Sequence, residues 1–276
     1  MPMVWRGYLS LGGVAVPCNS TGLEIEPGFK FSDDAITSKG HVINYAQVQN
    51  AYQGSIEFPL NRDFMATLWA WAITSRDTSK TVILSPDGTT AYTYPEASGK
   101  CLVKTLTITG AQNEYIKCSL DLVATGRSAA GSVPTYTATS TTNLNYTPIP
   151  YWKTSFISTT PTAYGGASDA TQVVSWNVSI NNNQFVLYTF DLSNDPHDIQ
   201  PGLMDVTGNV VLYNASSTPI PSDGGSSTVT IDNDSLTLNY LVYTKYAMEM
   251  SGPNVKATRS CDFRSIGSTL VAPIYE

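Results

Sequence analysis

The side chains best suited to acid–base or metal chemistry in this sequence are two histidines, four cysteines and two short runs of aspartate. His41 follows Gly40 at the head of a strand-like run, and His197 sits in Asn194-Asp195-Pro196-His197-Asp198, so both read as loop residues. An acid–base site needs a second group held within hydrogen-bond reach. Neither histidine belongs to an H-E-x-x-H pair, and the chain has no G-x-S-x-G serine or phosphate-cradling glycine loop. Cys18, Cys101, Cys118 and Cys261 lack C-x-x-C spacing. In a chain of this length they read as buried apolar side chains, not as a disulfide framework. Asp191, Asp195 and Asp198, or Asp232 and Asp234, offer the oxygen ligands that calcium takes. Neither run has the glycine at the sixth position of an EF-hand loop, and aspartates in solvated turns account for both. The expectation is a chain with no catalytic residue, no metal site and no cofactor.

The elements that must position these residues are mainly strands. Charged residues make up only 13% of the 276, against 42% hydrophobic ones and 16 tyrosines, a mixture suited to half-buried strands and polar turns. Val174, Trp176, Val178 and Ile180 alternate with Ser175, Asn177 and Ser179, after which Asn181-Asn182-Asn183 predicts a turn and Phe185 to Leu192 a returning strand. Ile116, Cys118, Leu120 and Leu122 alternate in the same way and predict a hairpin with Leu102 to Thr109. One helix is predicted over residues 61–75. Phe64, Leu68, Trp71 and Ala72 form its stripe, Asn61 its N-cap, and Asp63 and Arg76 favour its two ends. No stretch has the apolar length to cross a bilayer, and the patch Val14 to Pro17 falls short of a secretory signal, so no membrane partner is expected.

Charge is uneven. Residues 1–130 carry 11 acidic and 10 basic side chains, and residues 131–276 carry 11 and 5, so the second half holds nearly all of the net charge of −7. That balance opposes gripping a phosphate backbone, which needs clustered Lys and Arg.

Internal similarity gives the organisation. Val4-Trp5-Arg6 is echoed by Tyr151-Trp152-Lys153, and Tyr52-Gln53-Gly54-Ser55 by Val206-Thr207-Gly208-Asn209, with the glycines 154 apart. Leu106 to Gly110 matches Met248 to Gly252 at a shift of 142. Between the copies, residues 131–147 have the small polar composition of a linker. The expected domains are 1–130 and 148–276, with Trp5, Trp152, Gly54 and Gly208 as repeated packing positions.

Val173-Val174-Ser175-Trp176-Asn177-Val178-Ser179-Ile180, followed by Asp198-Ile199-Gln200-Pro201-Gly202 and Asp205-Val206-Thr207-Gly208-Asn209-Val210-Val211-Leu212, resembles the phage tail tube protein family. In the first copy Gly22-Leu23-Glu24-Ile25-Glu26-Pro27 replaces the first strand, and a histidine near Gly40 stands where the second copy has its Pro-Gly step. The resemblance implies two tandem β-sandwich tube domains, the first with a flanking helix. It implies inner sheets that join those of neighbouring copies into a barrel around a lumen. Single-domain members form six-membered rings, so two domains per chain imply a homotrimer with pseudo-sixfold symmetry. The rings stack through the loops corresponding to Phe31–Tyr45 and Leu192–Leu203, which places Lys39, Gly40, His41, Asp195, Pro196, His197 and Asp198 at the inter-ring contact.

The implied role is a structural virion protein of the phage tail, assembled in the bacterial host cytoplasm. Its partners would be copies of itself, the tape measure protein, adjacent tail or baseplate proteins, and a sheath protein if the tail contracts. Genomic DNA would pass through the lumen without specific binding, past a lining made acidic partly by the second half. A baseplate hub or distal tail ring shares this fold and is the alternative within phage biology. A secreted carbohydrate-binding sandwich is the more distant one, with Trp5, Trp69, Trp71, Trp152 and Trp176 as stacking platforms. Trp71 on the helical stripe and Trp176 on a core-facing strand favour packing instead.

Overall fold

Period-2 alternation is realised almost throughout as antiparallel strands. The computed structural model describes residues 8–16, 20–31, 45–60, 62–87, 89–128, 131–132, 149–151, 154–158, 173–190, 193–213, 225–231, 234–249 and 258–265. β1 (Tyr8–Leu11), β2 (Val14–Ala15), β3 (Ser20–Phe31) and β4 (Tyr45–Pro59) precede the helix α1 (Arg62–Trp69). Then follow β5 (Val82–Ser85), β6 (Thr90–Tyr94), β7 (Cys101–Ala111), β8 (Lys117–Ala124) and β9 (Gly131–Ser132). The second half holds β10 (Thr154–Ser158), β11 (Val173–Asn181), β12 (Phe185–Leu187), β13 (Asp198–Gln200) and β14 (Asp205–Tyr213). β15 (Gly225–Ile231), β16 (Asp234–Glu249) and β17 (Thr258–Ser265) complete it.

Ten strands form one sheet in the order β10-β15-β16-β17-β14-β11-β7-β8-β4-β3, and five form a second in the order β2-β1-β5-β6-β9. The architecture is mainly β, a sandwich with one flanking helix, and no closed barrel forms among the described residues. Within the large sheet the order β3-β4-β8-β7 is followed by β11-β14-β17-β16 read outward from the junction, the same sequence of first, second, fourth and third long strand. The junction is the pairing of β7 with β11, from Thr105↔Asn181 to Ala111↔Ser175, which runs the sheet unbroken between the halves. β7 carries a bulge against β8 between Val103 and Thr105, and β16 carries one against β17 between Tyr243 and Lys245.

Most buried apolar positions of this sheet lie on one face, with Leu102 and Val123 on the other. Ile56, Phe58, Leu106, Leu120, Trp176, Val178, Val210 and Phe263 are buried in one core with Leu9, Leu11 and Val82 of the second sheet. Each such side chain removed from water contributes about 2 kcal/mol. The predicted helix exists but changes form: α1 ends at Trp69 and continues as a π-helical turn, Ala70–Thr74, closed by the Ser75 N–H donating to the Ala70 carbonyl (2.7 Å). Widening the turn by one residue is compatible with burying Trp69, Trp71, Ala72 and Ile73 together. The proposed N-cap Asn61 lies outside the described residues.

One strand expectation is corrected. The chain after Asn181–Asn183 does not return alongside β11, whose two edges are taken by β7 and β14. Asn183 does take the left-handed conformation (φ 46°), but Asn182 redirects the chain. Its buried side chain donates to the carbonyls of Ala72 (2.9 Å) and Val103 (3.1 Å), and its N–H to that of Lys104 (2.8 Å). β12 therefore pairs with β13 in a separate two-stranded ribbon.

Candidate functional site

Among the described residues, two surfaces outside the core concern the residues singled out above: the polar face of the ten-stranded sheet and the ribbon built from residues 182–190 and 193–204. On the polar face, alternation brings Thr105, Thr107, Ser119, Asp121, Asn177, Ser179, Asn209 and Asp262 to the side away from the core. Thr107 donates its hydroxyl to Ser179 across the β7–β11 junction (3.0 Å). Asn209 donates to Ser260 Oγ (2.7 Å) and to the Asp262 carboxylate. The Arg264 guanidinium is tied to Asp205 (2.7 Å), so its charge is compensated, and Lys117 is paired with Glu114. Desolvation pushes the Asp121 carboxyl above its ordinary range, with Lys104 opposing. The face thus offers hydroxyls, amides and carboxylates, and among the described residues no cluster of uncompensated cations that would hold a phosphate backbone.

The ribbon crosses from the second half onto the first. Asp195 accepts hydrogen bonds from Asn50 Nδ2 (2.7 Å) and from the Tyr52 hydroxyl (2.6 Å), and the Asn50 N–H donates to the Asn194 carbonyl (2.6 Å). Tyr188 donates to the Asn50 carbonyl (2.8 Å). Lys100 pairs with Asp198 at 2.7 Å and reaches the Ile199 carbonyl. Ile199 is fully buried against Leu102 and Val123. Outward, the ribbon exposes Phe185, Phe190 and Leu203, and Phe190 is free of any shielding.

Of the residues singled out from sequence, Asp195, Pro196, His197 and Asp198 all lie on this ribbon, and His197 donates its backbone N–H to the Leu187 carbonyl (2.8 Å). The two aspartates are engaged by Asn50, Tyr52 and Lys100, not arranged around a common point. Among the described residues no group of three or more His, Cys, Asp or Glu is placed to hold a metal ion. Lys39, Gly40, His41, Trp5, Trp152, Cys18, Asp191 and Asp232 lie outside the described residues. Cys101, Cys118 and Cys261 are buried free thiols; burial raises Cys101 to about 12 and Cys261 to about 11, far from reactive thiolates. Gly54 and Gly208 stand on β4 and β14 opposite Leu122 and Phe263. Asn50, Tyr52, Lys100 and Ile199 were not legible as site residues, because their partners lie a hundred or so positions away.

The ribbon's anchors make its docking pH-dependent at both extremes. The hydrogen bond from Lys100 holds Asp198 below the usual carboxylate range, so its contribution is full above the unfolded pKa and is lost as pH falls through the depressed one. Burial, then the bond to Asp195, raises Tyr52 to about 12; its contribution is full below the ordinary phenol pKa of 10 and is lost as pH rises toward 12. Hydrogen-exchange protection of amides 193–200, relative to the intrinsic rate at each pH, will fall at acid pH in the wild type but show no such dependence in Lys100→Met. In a spectrophotometric titration, with Tyr52→Phe assigning its share among the late tyrosines that include Tyr94 and Tyr188, Asp195→Asn will shift the Tyr52 step part of the way down. Unchanged profiles in Lys100→Met and Asp195→Asn would refute the assignment.

A family model described as phage tail tube protein matches residues 32–257. No curated protein sequence matches the chain.

Proposed function

Because the chain belongs to the phage tail tube protein family, a structural component of the phage tail that self-assembles into a tube, we propose that it forms homotrimeric, pseudo-sixfold rings that stack into a hollow conduit for genome DNA. The observation that carries this reading is the ten-stranded sheet, apolar on one face and lined on the other mainly by hydroxyls, amides and carboxylates. Turned toward a lumen, that face would repel DNA weakly and let it pass.

The two-domain organisation, 1–130 and 148–276 joined by 131–147, is supported by strand register. Aligning the bulge at Lys104 with that at Thr244 superimposes Val103 on Tyr243, Leu106 on Tyr246, Asp121 on Asp262 and Gly54 on Gly208. The last pair was found independently in the sequence, whereas Leu106 now matches Tyr246 in place of Met248. Each chain then contributes two equivalent units to the ring. The exposed Phe185, Phe190 and Leu203 support the contact of the 192–203 loop with the next ring, to which the 31–45 loop of the first unit corresponds. Assembly in the host cytoplasm, around a tape measure protein, against neighbouring tail or baseplate proteins and inside a sheath where one exists, completes the reading.

Electron microscopy of the purified protein across a concentration series tests it. Rings or stacked tubes whose averages show threefold symmetry with six similar lobes are expected. Rings with one chain per lobe would refute the trimer, and particles that stay monomeric at every concentration would refute self-assembly.

A further inference from the structure

Among the described residues, free edges lie on β3 and on the second half of β16, besides those of β10, of the small sheet's end strands β2 and β9, and of the ribbon. β3 is the terminal strand beyond β4. β16 changes partners at Leu241: residues up to it pair with β15, and residues from it onward pair with β17 alone. The edges of β3 and β16 belong to the first strand of the first unit and the third strand of the second, the same two kinds of strand that meet inside the chain as β11 and β7.

We infer that the second half of β16 pairs antiparallel with β3 of a second copy, in the register that β7 and β11 use within the chain. The inference rests on the ring reading above and specifies its interface. Carrying the internal register over through the aligned bulges and glycines turns Thr105↔Asn181 into Lys245↔Glu26, and Leu106↔Ile180 into Tyr246↔Ile25. Thr107↔Ser179 becomes Ala247↔Glu24, and Ile108↔Val178 becomes Met248↔Leu23. The bulges and glycines alone set this alignment, and the chemistry of the paired side chains agrees with it. A cation meets a carboxylate at Lys245↔Glu26, and apolar residues meet apolar ones at the two alternate positions, as cross-strand pairs require. A slip of one residue would set Lys245 against Ile25 or Pro27 and exchange the two faces. Pro27, which has no N–H to donate, falls immediately beyond the last pair, where the ladder stops. Joining the edges also satisfies backbone groups that would otherwise template uncontrolled association.

The internal junction supplies the design of the test. Thr107 and Ser179 touch through their hydroxyls, so cysteines at the corresponding Ala247 and Glu24 will lie within disulfide reach. In the full chain carrying Cys18→Ser, Glu24→Cys/Ala247→Cys will oxidise to covalent dimers and trimers, with Thr107→Cys/Ser179→Cys as the intrachain control. Glu26→Cys/Ala247→Cys and Gly22→Cys/Ala247→Cys, each slipped by two residues, will link at least several-fold less.

Wild-type rings seen by microscopy, with linking confined to the 24/247 pair, support the register. Rings with no linking, or with a slipped pair linking better, overturn it and leave the ring reading standing. Absence of wild-type rings removes both. Should the cysteine variants fail to fold, charge exchange decides: Lys245→Glu will raise the concentration needed for rings at least tenfold, and adding Glu26→Lys will restore it. Failure of that rescue in folded protein overturns the inference.

Discussion

Gly208→Ala and Gly110→Ala will each lower stability by roughly 2–3 kcal/mol, but they will differ in what rescues them. Both glycines lie under an aromatic ring from the facing strand, Gly110 opposite Trp176 and Gly208 opposite Phe263. A Cβ on Gly110 would stand 2.6 Å from the Trp176 indole, and the three nearest atoms all belong to that one side chain. A Cβ on Gly208 would strike the Phe263 ring and also the Asn177 carbonyl, which is backbone of the adjacent strand. Replacing Trp176 with Leu frees the space above residue 110, so Gly110→Ala will cost much less in that background. Replacing Phe263 with Leu leaves the Asn177 carbonyl in place, so most of the Gly208→Ala penalty will remain. Urea midpoints of the two double-mutant cycles, at unchanged m, measure this. Equal coupling in both cycles would show that the ring contacts, and not the backbone, set the cost.

These pairs also show what the sequence could and could not disclose. Gly208 and Trp176 were legible as features, one from the repeat and the other from alternation, because both signals are local. That Trp176 covers Gly110 depends on β7 pairing with β11, a contact between residues 66 positions apart in the chain. The helix was legible from its stripe, yet its π-helical end was not, since widening the turn answers the packing of Trp69, Trp71 and Ile73 against the sheet. The expected return of residues 185–192 beside β11 failed for a similar reason. Alternation marks a strand without naming its neighbour, and buried Asn182 spends its hydrogen bonds on Ala72, Val103 and Lys104. The aspartates of the ribbon were visible as a loop cluster, but their anchors Asn50, Tyr52 and Lys100 become partners only through the sheet order.

Ile199→Ala will release the ribbon without unfolding the sheet, and Phe190→Ser will do the reverse of what its chemistry suggests for a monomer. Ile199 is fully buried in a small cluster with Leu102 and Val123, set apart from the main core. Truncation there removes about 2–4 kcal/mol of packing, and the loss falls on the element that the cluster secures. Amide protection across 193–200 will drop by roughly 30-fold or more, as about 2 kcal/mol implies, while β7 and β8 keep theirs. Phe190 is wholly exposed, so Phe190→Ser will leave monomer stability within about 0.5 kcal/mol. If rings stack through this ribbon as proposed, both variants will impair stacking, Ile199→Ala because the ribbon is no longer held in place and Phe190→Ser because an apolar contact is lost. Sedimentation of assembled tubes, set beside hydrogen exchange on the monomer, separates these causes. Tubes formed normally by Phe190→Ser would show that the exposed aromatic faces solvent in the assembly, and the inter-ring contact would have to lie elsewhere on the ribbon.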